Sequence, residues 1–169
     1  YTSVTTFISK FGEKFDKTGK AFEYSIRHGV NMADVLKDWE YKGDYARKLG
    51  TEVHSVMEHL WKREEFEPNW KMMESFEGMK DDFLFRQNMC VELYDKMKDI
   101  YDPIANEVIV NDPQTGLAGT IDFVAYNRKT DTVDILDWKT SKAFAVRNGA
   151  VKMKTPFDAY PGTNVSEYS

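Results

Sequence analysis

Between Gly119 and Lys142 the chain reads GTIDFVAYNRKTDTVDILDWKTSK, where two aspartates interrupt apolar runs and one of them stands two residues from a lysine. Asp122 breaks the run from Ile121 to Val124, and Asp137 the run from Ile135 to Trp138. Aspartate is depleted in strands, and a charge in a near-buried strand needs a partner. Alternate strand residues share a face, so Asp137, Lys139 and Ile135 are expected to project together, with Leu136 and Trp138 on the other side. A hairpin that pairs Tyr126 with Val133 also pairs Asp122 with Asp137, at about 5 Å between Cα atoms. Carboxylates so placed repel unless a hard divalent cation lies between them, and carboxylate oxygens are the ligands that Mg²⁺ and Mn²⁺ take. The plain alternative is a pair of strand-end aspartates with Lys139 as an exposed salt-bridge partner. Interruption of two apolar runs favours the metal site.

Three strands are expected to carry these residues: Asn106 to Val110, Ala118 to Tyr126 and Thr132 to Lys139, with turns at Asn111 to Gly116 and Asn127 to Asp131. Upstream the grammar is helical. Val4, Phe7, Ile8 and Phe11 suggest a short amphipathic helix over Thr2 to Phe11, and Lys14 to Lys20 read as a polar loop. Met32, Val35, Leu36 and Trp39 mark a helix that resumes after Gly43 through Leu49, Val53, Val56, Met57, Leu60 and Trp61. Glu64 to Trp70, with Pro68, reads as a loop with a solvated acidic cluster, and a third helix is expected from about Lys80 to Ile100. Strands behind a helical N-terminal half make an α+β or mixed α/β domain.

Composition bounds the chemistry. The 169 residues suffice for one domain, and 41% hydrophobic with 14% aromatic content excludes a largely disordered chain. No apolar stretch has the length of a membrane helix and no signal pattern opens the chain, so a soluble, intracellular protein without a membrane partner is expected. The single cysteine, Cys90, excludes an internal disulfide, a four-cysteine zinc site and an iron–sulfur cluster ligated within this chain. It sits in an apolar helical pattern and is expected to be a packed thiol. A net charge of −5 argues against nonspecific coating of nucleic acid. From Trp138 to Phe157, however, there are five basic residues, Lys139, Lys142, Arg147, Lys152 and Lys154, and no acidic one, a stretch suited to neutralising phosphates.

GTID at Gly119 to Asp122 followed one hairpin later by DWK at Asp137 to Lys139 resembles the core of the PD-(D/E)XK nucleases. GTEVH, Gly50 to His54, resembles the helical GxxxH motif of the RecB-type exonuclease branch. MADVLKDWEYKGDYARKLG, just before it, and the opening YTSVTTFI are similar to the phage and mitochondrial genome maintenance exonucleases of that branch. The resemblance runs from Tyr1 to Lys142. It implies a restriction-endonuclease-like core, a small mixed sheet flanked by helices, in a single domain spanning 1–169, and a DNA nuclease acting on single strands or duplex ends. It also implies one or two Mg²⁺ or Mn²⁺ ions held by His54, Asp122, Asp137 and the Trp138 backbone carbonyl, with Glu107 as a further acid. Catalysis falls to Asp122, Asp137 and Lys139, and DNA contacts to Thr140, Ser141, Lys142, Arg147, Lys152 and Lys154. Partners implied are DNA and the proteins of replication or recombination, and the setting is cytoplasmic, phage-encoded or mitochondrial.

On the residues themselves, His54 borders a buried helical face, between Gly50 one turn before and Met57 three residues after. His28 and His59 lack such company, and Trp39 and Trp61 are expected in the core. The QxxxY motif of the branch is missing, since no glutamine follows Gln114. The chain is therefore expected to be cut short at its C-terminal end or divergent. Two rivals stay open: a restriction-type endonuclease, which cuts closed circular DNA, and a noncatalytic DNA-binding module on a degenerate nuclease fold.

Overall fold

The computed structural model describes residues 1–11, 15–140, 146–147 and 150–151, the last four through their backbone. It combines helices with a small mixed sheet, in which β1 (Thr2–Ser3) runs parallel to β3 (Leu117–Asn127) and β4 (Thr132–Leu136) runs antiparallel to it. β2 (Tyr101–Asp112) is the other neighbour of β3. Contacts divide the chain into two compact units, one of Tyr1–Phe15, Asn111–Gly119 and Thr140–Ser169, the other of Asp16–Val110 and Thr120–Lys139. No helix among the described residues is long and apolar enough to cross a membrane.

In the first unit the N-terminal helix is shorter than its periodicity suggests. Thr2 and Ser3 are extended, paired with Leu117 and Ala118, and α1 covers only Val4–Ile8. The Ser3 side chain accepts the Thr6 N–H at 3.0 Å, so the residue that ends the strand also caps the helix. The turn before β3 is organised by Asp112, whose carboxylate accepts from Gln114 N and Thr115 Oγ1. These bonds favour its charged form and hold its pKa below the ordinary value. Gly116, at φ +66, closes that turn. β5 (Val146–Arg147) and β6 (Ala150–Val151) form a separate antiparallel ladder.

In the second unit, α2 (Lys17–His28) begins where a polar loop is expected. The Asp16 carboxylate accepts the Gly19 N–H at 2.8 Å, and a Cβ at Gly19 would lie 2.1 Å from the other carboxylate oxygen, so the cap needs that glycine. α3 (Met32–Lys62) is continuous through Gly43, where a break is expected, and Asn31 caps its start. A short α4 (Trp70–Met73) follows the acidic loop, and α5 (Met79–Met97) ends three residues before Ile100.

The core of this unit is where the two periodicities meet. Leu49, Val53, Val56, Met57 and Trp61 of α3 pack with Met73, Phe76, Met79, Phe83 and Cys90 and with Phe123 and Ala125 of β3. Burying a side chain of this size contributes about 1.5–3 kcal/mol, which offsets ordering entropy along a 31-residue helix. Burial pushes the Cys90 thiol up to about 11, in keeping with a packed, unreactive cysteine.

The hairpin has the expected register, with Tyr126 opposite Val133 and the ladder running to Phe123 opposite Leu136. Its turn is tied by Asn127, whose side-chain oxygen accepts from Lys129 N and Thr130 N, with Asp131 in the left-handed region at φ +58. Alternation also holds: Val133 and Ile135 are exposed, and Leu136 and Trp138 pack on the core. The strand itself stops at Leu136 instead of Lys139. Beyond that end the Trp138 N–H donates to a side-chain acceptor, the Asp122 carboxylate, at 2.8 Å.

Candidate metal centre

Three residues converge in the second unit from three elements. His54 lies on α3, Glu107 on β2 and Asp122 on β3, and one ligand atom from each lies within 4.8 Å of the others. His54 Nδ1 stands 3.5 Å from Asp122 Oδ2, with 30% of the histidine side chain and 13% of the aspartate side chain exposed. At that burial a charge placed between them is screened far less than on the open surface. His54 reaches this position because Val53, Val56 and Met57 are held in the core, which sets the rotation of the helix.

A cleft of about 500 Å³ opens beside the cluster, lined by Gly50, Thr51, His54, Ser55, Glu58 and Glu107. The GxxxH spacing accounts for its first wall, since Gly50 and His54 are one helical turn apart on the same face. Glu58, one further turn along, is a wall residue that the motif does not name. Its i+4 spacing from His54 was the available signal. Glu58 is salt-bridged to Lys62 on the same helix.

The electrostatics of the cluster are those of a site short of positive charge. The Glu107 pKa is raised, first by desolvation and then by the negative charges of Asp122 and Glu58, against a smaller opposing effect of His54 and Lys62. Glu107 also has φ +49 in the middle of a strand, a left-handed backbone that costs a non-glycine residue roughly 1–3 kcal/mol. Glu107 is itself exposed, and its raised pKa and left-handed backbone coincide at one residue without any local sequence pattern that announces either. Two carboxylates and an imidazole are a donor set suited to Mn²⁺ or Mg²⁺, and a cation there would relieve the repulsion that raises Glu107.

The remaining candidates are arranged differently. Asp137 is outside the three-residue cluster, and its carboxylate binds the Lys139 ammonium, both side chains being more than half exposed. The plain alternative of an exposed salt bridge therefore describes this pair as the structure places it. Trp138 touches the site through its backbone N–H on Asp122. Thr140 is half-buried, while Ser141, Lys142, Lys152, Lys154 and the side chain of Arg147 lie outside the described residues. His28 stacks on Tyr24 with ring centroids 4.1 Å apart, and His59 Nδ1 contacts Ser55 O, so neither histidine joins the cluster. Comparison with protein-family models, with curated proteins and with solved structures finds no match.

Proposed function

We propose that the chain is a divalent-metal-dependent deoxyribonuclease on a restriction-endonuclease-like core, an exonuclease acting on single-stranded DNA or DNA ends. The observation that carries this reading is the convergence of His54, Glu107 and Asp122 beside one cleft, at the positions where the GxxxH and GxxD elements put a histidine and an aspartate. His54, Asp122 and Glu107 would hold the cation, with Asp137 and the Trp138 carbonyl at its margin. A Mg²⁺ or Mn²⁺ ion held there supplies Lewis acidity toward the phosphodiester and lowers the pKa of water. Lys139 supplies a fixed positive charge, exchanging its Asp137 partner for a phosphate oxygen when DNA is bound. The basic residues after Lys139 neutralise the phosphates that follow.

Asp122→Asn and Lys139→Ala each lower Mg²⁺-dependent degradation of end-labelled single-stranded DNA by about a hundredfold or more, with circular dichroism unchanged. Wild-type rates in both variants would remove the site from consideration. The Asp137–Lys139 pair supports a second reading, a noncatalytic DNA-binding module, in which Lys139 keeps Asp137 as its partner when DNA is bound and adds no charge at the scissile phosphate. Tight, salt-sensitive DNA binding without any metal-dependent cleavage by the wild-type protein decides for that module.

A further inference from the structure

Trp138 lies between the two acids of the DxK and GxxD segments in a way that neither motif describes. Its main-chain N–H donates to Asp122 Oδ2 at 2.8 Å, the same oxygen that stands 3.5 Å from His54 Nδ1. Its indole lies against Phe123, the residue that follows Asp122, at 5.6 Å between ring centroids and an interplanar angle of 31°. Phe123 stacks in turn on Trp61, at 4.5 Å and 29°. Trp61 is seven residues after His54 on α3, two turns along the same face. One run of three rings thus joins the helix that carries His54, the strand that carries Asp122 and the segment that carries Asp137 and Lys139.

We propose that Trp138 is a positioning residue of the metal centre: its ring, seated on Phe123, holds its backbone N–H against Asp122 and so orients that carboxylate toward His54 and Glu107. This rests on the metal reading above and specifies what aligns the site. An aspartate has two free torsions, and holding one oxygen by a backbone donor removes most of that freedom before a cation arrives. Residues that orient metal ligands from behind are commonly worth tenfold to a hundredfold in metal affinity. Phe123 is fully buried, so the Trp138 ring rests against a core side chain.

The test uses Mn²⁺ calorimetry and amide NMR on the whole chain labelled with ¹⁵N-tryptophan, which yields four backbone signals for its four tryptophans. Trp138→Ala is expected to weaken Mn²⁺ binding tenfold to a hundredfold, and Trp138→Phe, which keeps a ring on Phe123, to restore it to within about threefold. In the wild-type protein Mg²⁺ shifts the Trp138 amide signal more than those of Trp39 and Trp70, and Asp122→Ala lowers the Trp138 amide's protection from exchange at least tenfold. The NMR arm decides the matter if Trp138→Ala does not fold. Wild-type Mn²⁺ affinity in a folded Trp138→Ala, or a Trp138 amide indifferent to both Mg²⁺ and Asp122→Ala, overturns the positioning role while leaving the metal centre standing. A wild-type protein that binds neither ion removes the reading beneath it.

Discussion

Glu107 is the residue at which the physical chemistry of the site is most exposed. Although the residue is exposed, partial desolvation and the nearby Asp122 and Glu58 carboxylates raise its pKa. A carboxylate whose folded pKa is raised stabilises the fold below its ordinary pKa, and that contribution is lost as pH rises through the raised value. Glu107→Gln therefore raises the melting temperature of the metal-free protein at neutral pH and weakens Mn²⁺ binding, changes of opposite sign that melting curves and calorimetry read separately. Asp134 behaves in the opposite sense. Hydrogen bonds from Asn127 and Thr132 hold its pKa below the usual range. Its contribution is present above the ordinary aspartate value and lost as pH falls through the lowered one. Melting temperatures measured from pH 6 downward should accordingly fall less steeply in Asp134→Asn than in wild type. A matching slope in the two proteins would show that those bonds do not favour the charged form.

The elements show how far local rules reach. α3 was legible from its apolar period, but Gly43 suggested a break, and the structure runs through it because both halves are anchored, by Val35 on one side and Leu49 to Trp61 on the other. Tertiary packing there outweighs a propensity penalty of about 1 kcal/mol. Nothing lies within 4 Å of a Cβ placed at Gly43, so Gly43→Ala should stabilise the protein by roughly 0.5–1 kcal/mol, seen as a higher denaturant midpoint with an unchanged slope. α2 was not legible, because its start depends on one aspartate finding one glycine amide at the edge of a polar run. β4 was legible in register but not in length. The alternation from Leu136 to Lys139 persists in which side chains face the core, yet the Trp138 backbone donor goes to the Asp122 carboxylate.

At the scale of the molecule, the site draws on residues 54, 107 and 122, whose approach depends on packing α3 against α5 and β3 in the second unit. A cation that binds only this arrangement stabilises it by mass action, about 2.7 kcal/mol at a hundredfold excess over the Kd. Adding Mn²⁺ should therefore raise the melting temperature of the wild-type protein in a concentration-dependent manner, EDTA should reverse it, and Asp122→Ala should abolish the response. An identical response in Asp122→Ala would place any bound metal elsewhere.

The sequence by itself determined the helix and strand periods, the hairpin register of Tyr126 with Val133, and His54 and Asp122 as polar residues at the edge of buried faces. These are decided by spacings of two to four residues and by which side chains avoid water. Only the tertiary structure decided that Glu107 completes the cluster, that Asp137 turns to Lys139, and that Trp138 reaches Asp122 through its backbone. Those outcomes depend on how elements separated by tens of residues pack, and on a carboxylate accepting from a backbone donor, neither of which leaves a period in the chain.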